Sequence, residues 1–241
     1  MNMLTFGDSW VYGIGIGYHK GQSKEKYFEI QRNQEEAEQK SFRSLIARKF
    51  GIGNTNFSNG GSSNQRQFRK ASEYFMTDNP IDKDIIVLWG LTSVYRMEYF
   101  STKQNMYIEN LITDHEDAFT KVWTMKCFDE TVETNRLFYQ IQLWNAFFKM
   151  HNIKNYWFNV FNEHEFPGKA DNMMFNGRSL LSLMLDDHAP NDSYHKSDRK
   201  DVDRKITKAL DRGLVNPYSL HPTEETHVKL AGLFEKEINF A

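Results

Sequence analysis

Residues 84–89, Asp-Ile-Ile-Val-Leu-Trp, form an apolar run with no polar alternation. A strand covered on one face alternates, whereas a strand covered on both faces is apolar at every position. This run therefore calls for a sheet with helices on both sides. Met3–Phe6 and Asn155–Phe161 read the same way, and a weaker strand is expected at Asn54–Phe57. Between these runs the hydrophobic period becomes helical. Phe42, Leu45, Ile46 and Phe50 form one stripe that stops at Gly51, a residue suited to a helix C-terminus. Leu137, Ile141, Trp144 and Phe148 form a second, with Asp129 placed to cap it. A final helix is expected to start with Pro222 at its first position and Glu224 and Glu225 in its first turn. Strand and helix in alternation predict an α/β fold with a parallel sheet.

Composition narrows the function classes. Thirty Lys and Arg against 32 Asp and Glu leave a formal charge of −2, too balanced to advertise a nucleic-acid or acidic-membrane partner. The single cysteine, Cys127, excludes an intrachain disulfide and a zinc–thiolate cluster. No run approaches the ~18 apolar residues of a membrane span, and Met1–Gly7 has neither the basic nor the apolar region of a signal peptide. The expectation is one cytoplasmic domain over residues 1–241. Its mean hydropathy of −0.67 is polar for a chain with 19 Phe, 11 Tyr and 5 Trp. Two stretches, 18–40 and 186–205, carry that polarity and are expected to be solvated insertions.

Four short blocks fall where a parallel sheet presents ligands, at the carboxyl ends of strands. Gly7-Asp8-Ser9-Trp10 follows the first strand. Asn56-Phe-Ser-Asn-Gly-Gly-Ser-Ser-Asn64 follows the second, and the amides near Gly61 are placed to face a developing oxyanion. Trp89-Gly-Leu-Thr-Ser-Val-Tyr-Arg96 ends the most buried strand, and Leu220-His-Pro-Thr-Glu-Glu-Thr-His227 lies before the last helix. The Gly-Ile-Gly-Ile-Gly run at 13–17 is not a dinucleotide motif, because G-x-G-x-x-G requires glycine where Tyr18 stands. No cofactor is expected, and no histidine pair has metal-ligand spacing.

In this order the four blocks resemble the SGNH (GDSL-like) hydrolase family, and the forms G-S-S-N and T-S-x-x-R-x-E are similar to members encoded by large tailed phages. The resemblance spans Gly7 to His221. It implies a flavodoxin-like three-layer α/β/α sandwich with about five parallel strands. It also implies Ser9 as nucleophile, His221 as general base and then acid, and an oxyanion held by the N–H groups of Ser9 and Gly61 with Thr92 in the usual asparagine position. Asp8, Trp10, Asn64 and Arg96 are the candidate substrate contacts. The implied substrate is a small ester or an O-acetylated carbohydrate, with hydrolysis or acyl transfer using the same residues.

The sequence departs from the family at the acid. D-x-x-H is replaced by Tyr218-Ser-Leu-His221, and a tyrosine of pKa near 10 is no charged orienter at neutral pH. A Ser9–His221 dyad, a backbone carbonyl, or a distant carboxylate such as Asp187 or Asp211 are the alternatives. A non-catalytic binding or structural module is the competing reading. His227, in helical register with Leu230, Ala231 and Phe234, is expected in the core. Arg96 and Glu98 are expected to pair.

Overall fold

The computed structural model describes residues 1–31, 34–77, 84–111, 118–185 and 199–239. β1 (Asn2–Phe6) pairs in parallel with β3 (Gly53–Asn56) on one side and with β4 (Ile85–Leu91) on the other. β4 pairs in parallel with β7 (Lys154–Asn159), giving the order β3-β1-β4-β7. About five strands were expected. The fifth place holds only two isolated bridges, Trp157 to Met173 and Asn159 to Ser179. Between those bridges Phe175 and Asn176 adopt positive φ, which interrupts extended backbone.

Alternation of side chains along each strand divides the core in two. Met3, Ile86, Leu88 and Phe158 point to one face, under α1 (Ser9–Tyr12), α4 (Phe42–Phe50), α8 (Leu180–Leu185) and α10 (Glu224–Glu237). Leu4, Phe6, Val87, Trp89 and Trp157 point to the other, under α5 (Asn64–Phe75) and α7 (Glu130–Met150). This is the three-layer arrangement, with helices on both faces of a parallel sheet. Trp89 is a core residue, stacked between Phe6 at 4.7 Å and Trp157 at 4.6 Å. Each such buried side chain contributes roughly 1.5–3 kcal/mol. Among the described residues no helix is long and apolar enough to cross a membrane.

The expected helix boundaries at Gly51 and Asp129 match the structure. Gly51 has φ 62° at the end of α4, and the Asp129 carboxylate accepts from the Val132 N–H at 2.9 Å. The last helix starts later than expected. Thr223 caps α10, while Pro222 forms a bridge with Val215 and stays extended. The stretch 18–40 is not a solvated loop. It contains α2 (Lys24–Gln31) and α3 (Gln34–Lys40), and Tyr27 is fully buried. Most of 186–205 lies outside the described residues, and 199–205 forms the first half of α9 (Arg199–Asp211). The other elements are β2 (Ile14–Gly17), α6 (Ala118–Lys126) and an antiparallel hairpin of β5 (Arg96–Ser101) and β6 (Met106–Leu111).

The junction of β1 with α1 leaves no room for a side chain. A Cβ on Gly7 would lie 2.5 Å from Val11 Cβ, on the helix that carries Ser9. Gly7→Ala is expected to lower stability by about 1–3 kcal/mol through overpacking, read as a lower urea midpoint at an unchanged slope.

Candidate active site

Asp8 caps α1, and Ser9 is the first residue of that helix. The Asp8 carboxylate is fully buried and takes three donors. Trp10 N–H reaches one oxygen at 3.0 Å, while Thr92 Oγ1 at 3.0 Å and Arg96 Nη1 at 3.2 Å reach the other. Burial pushes this carboxyl above its ordinary pKa. The Arg96 guanidinium opposes most, followed by the Trp10 N–H and the Thr92 hydroxyl. Thr92 is itself pinned: Asn64 accepts from its N–H at 3.0 Å and donates to its carbonyl at 2.8 Å. His164 Nε2 lies 3.1 Å from that carbonyl, an N–H to oxygen bond. At the other end of α1, the buried Arg43 donates to the carbonyls of Val11 and Tyr12, both at 3.3 Å, and pairs with Glu38 at 2.9 Å. Asp8 and Arg43 thus hold the two ends of a one-turn helix.

His221 follows Leu220, which takes the left-handed conformation with φ 57°. Its seat is Gly15, at φ 115°, where a Cβ would lie 2.8 Å from His221 Cβ and 2.5 Å from the Pro222 carbonyl oxygen. The glycine run that fails as a dinucleotide motif is the platform for the histidine. His221 Nδ1 is buried without a hydrogen bond of good geometry, although the nearby Ser219 carbonyl favours a proton on the ring. Burial dominates and, with the Arg96 charge, holds the pKa down to about 4. The imidazole is neutral at pH 7.

Tyr218 does not contact that ring as an acid would. Its hydroxyl donates to the Gln22 carbonyl at 2.6 Å, and it packs against Tyr18 and Tyr27. Tyr27 also shares a 2.9 Å hydrogen bond with Ser219 Oγ. The 18–40 stretch is therefore the brace of the His221 turn. Asp211 is exposed at the end of α9, and Asp187 lies outside the described residues. The carboxylate on the site's rim is Asp203, which the sequence reading did not single out.

Ser9 and His221 line one cavity of about 560 Å³, with Trp10, Tyr95, Arg96 and Phe161 among its other walls and Val202 and Ile206 of α9 closing one side. Ser9 Oγ and the His221 ring face this space without a hydrogen bond to each other. Of the candidate substrate contacts, Trp10 and Arg96 reach the wall, whereas Asp8 and Asn64 are buried in the network behind it. Thr92 is buried there too, its hydroxyl committed to Asp8. Gly61, at φ 75°, ends the loop after β3. The expected Arg96–Glu98 pair is absent: Arg96 turns to Asp8, and Glu98 takes a two-pronged bond from Arg69 at 2.7 and 2.9 Å. A second cavity of about 240 Å³, lined by Glu130, Glu163 and His164, shares the Asn162 wall with the first. Among the described residues no group of three or more His, Cys, Asp or Glu is placed to hold a metal ion.

No protein-family model matches the chain, and no curated protein matches it. Solved structures similar to it include the psychrotrophic esterase EstA from Pseudoalteromonas sp., at 11% identity over 98% of this chain and 95% of that one, with a TM-score of 0.43. A member of the lipolytic G-D-S-L family from Veillonella parvula has 11% identity over 98% and 96%, with a TM-score of 0.44. The acetyl xylan esterase Est2A from Butyrivibrio proteoclasticus has 11% identity over 98% and 63%, with a TM-score of 0.45. These descriptions name bacterial proteins and lend nothing to the narrower phage resemblance.

His227, as expected, lies in the core, accepting from the Phe42 N–H at 3.3 Å, and burial lowers its pKa to about 3. Burial holds His164 and His221 near 4. All three folded values lie below the unfolded 6.5, so the unfolded chain takes up protons first as the pH falls. Stability is full above pH 6.5 and declines from there to about pH 4, at up to ~1.4 kcal/mol per pH unit for each histidine. His227→Leu is expected to flatten this slope by about a third, measured by urea unfolding across that window.

Arg96→Met removes a charge that depresses the His221 pKa and leaves Asp8 buried without its cation. The His221 pKa is expected to rise, read by NMR titration, with a lower melting temperature.

Proposed function

We propose that the chain is a serine ester hydrolase of the SGNH type, acting on a small ester or an O-acetylated carbohydrate. The observation that carries this reading is one cavity faced by both a helix-opening serine and a neutral imidazole. Ser9 Oγ attacks the ester carbonyl as His221 takes its proton, and the oxyanion lies against the N–H groups of Ser9 and Gly61. His221 returns the proton to the leaving alcohol, and water then releases the acyl group by the reverse sequence. Thr92 acts at one remove by fixing Asp8, and the Arg96 guanidinium supplies positive charge at the wall. The Ser9–His221 contact tightens on substrate binding, as catalytic hydrogen bonds commonly do. The aromatic faces of Trp10, Tyr95 and Phe161 suit an acyl chain or a sugar ring.

A second reading, a binding module without turnover, is favoured by the Tyr218 hydroxyl spent on the Gln22 carbonyl, which leaves His221 without a carboxylate. One experiment separates the two. An alkyl fluorophosphonate is expected to label the wild type but not Ser9→Ala, and short-chain aryl esters to be turned over with at least a hundredfold loss in Ser9→Ala and His221→Ala. A folded wild type that neither labels nor turns over ester leaves the binding module standing.

A further inference from the structure

The helix α7 carries two apolar stripes. Leu137, Ile141, Trp144 and Phe148 are buried against the sheet. On the outer face, Val132, Arg136, Tyr139, Leu143, Ala146 and Met150 follow one another at alternating steps of four and three, the spacing of a heptad seam. This outer stripe faces solvent: Val132 is 44% exposed, Tyr139 59%, Leu143 64% and Met150 74%. A surface helix normally turns charged residues outward, and a sustained apolar seam of this kind marks a partner.

The order of residues along the seam identifies the partner. We propose that α7 joins two copies of this chain, packed antiparallel about a two-fold axis beside Ile141. Every seam position then meets an apolar or small complement. Val132 faces Met150 of the second copy, Tyr139 faces Leu143, and Arg136 faces the small Ala146. One surface serves both copies, as a closed two-fold contact requires. Charge sets the direction. An antiparallel pair brings Glu133, in the first turn of one helix, across from Lys149 in the last turn of the other. A parallel pair would stack Arg136 on Arg136 and Lys149 on Lys149. Opposed helix dipoles favour the same choice.

The seam from 132 to 150 is about 27 Å long. With its flanking residues it covers on the order of 1,000 Å² over both copies, the lower bound for a specific interface. The association is therefore reversible, with a dissociation constant on the order of 10 µM. Sedimentation of the full chain is expected to show a monomer–dimer equilibrium in that range. Leu143→Glu, at an exposed position, is expected to weaken it at least tenfold with the melting temperature unchanged. Glu133→Lys is expected to weaken it too, and Glu133→Lys combined with Lys149→Glu to restore it, which only antiparallel pairing explains. In a Cys127→Ser background, a mixture of Tyr139→Cys and Leu143→Cys chains should form a mixed disulfide faster than either alone. A wild type that stays monomeric at about 0.5 mM, a dimer indifferent to Leu143→Glu, or no preference for the mixed disulfide would overturn the proposal.

Discussion

The Asp8 carboxylate is the constraint around which the site is built. A charged group with no solvent contact must find donors or lose its charge, and Asp8 draws them from three separate elements. One is its own helix, which fixes where Ser9 begins. Another is the end of β4, which turns the Thr92 hydroxyl inward. The third is the first residue of β5, which carries Arg96 into the cavity wall. Satisfying one carboxylate therefore places the serine, the hairpin and the positive charge of the pocket together. Arg43 does the corresponding work for the carbonyls at the far end of α1.

His221 differs from a base oriented by a carboxylate. A neighbouring anion raises an imidazole pKa, whereas here burial and Arg96 lower it. The ring is always in its proton-accepting form at neutral pH, but a base of low pKa takes a proton reluctantly. Such a site favours esters with good leaving groups, or depends on strong oxyanion stabilisation, more than one with an orienting acid. The Ser219 carbonyl is the sole group that pulls the ring the other way.

The sheet was legible because its signal is local: Ile85–Trp89 and Met3–Phe6 are apolar for reasons that neighbours in sequence express. Gly51 and Asp129 announced helix ends by their own backbone and side-chain chemistry. What escaped depended on partners far along the chain. The polarity of 18–40 concealed two helices, because one buried tyrosine is enough to anchor them to the 216–221 turn. Pro222 suited a first helical position, but its bridge to Val215 held it extended. Glu98 and Arg96 alternate along one strand face, yet buried Asp8 claims the arginine and leaves Glu98 to Arg69. Ser9 and His221 could be named from motifs. Gly15, Arg43 and Asp203 could not, because their roles exist only after the chain has folded back on itself.

That folding back has a consequence for synthesis. Ser9 leaves the ribosome roughly two hundred residues before His221, and the tyrosine that braces the histidine turn also comes from the early segment. The growing chain carries one half of the cavity for most of its translation, with Asp8 waiting for Arg96 and α2 waiting for the 216–221 turn. A nascent or truncated chain is thus held without a working pocket, and reactivity appears only once the last strand and helix have docked.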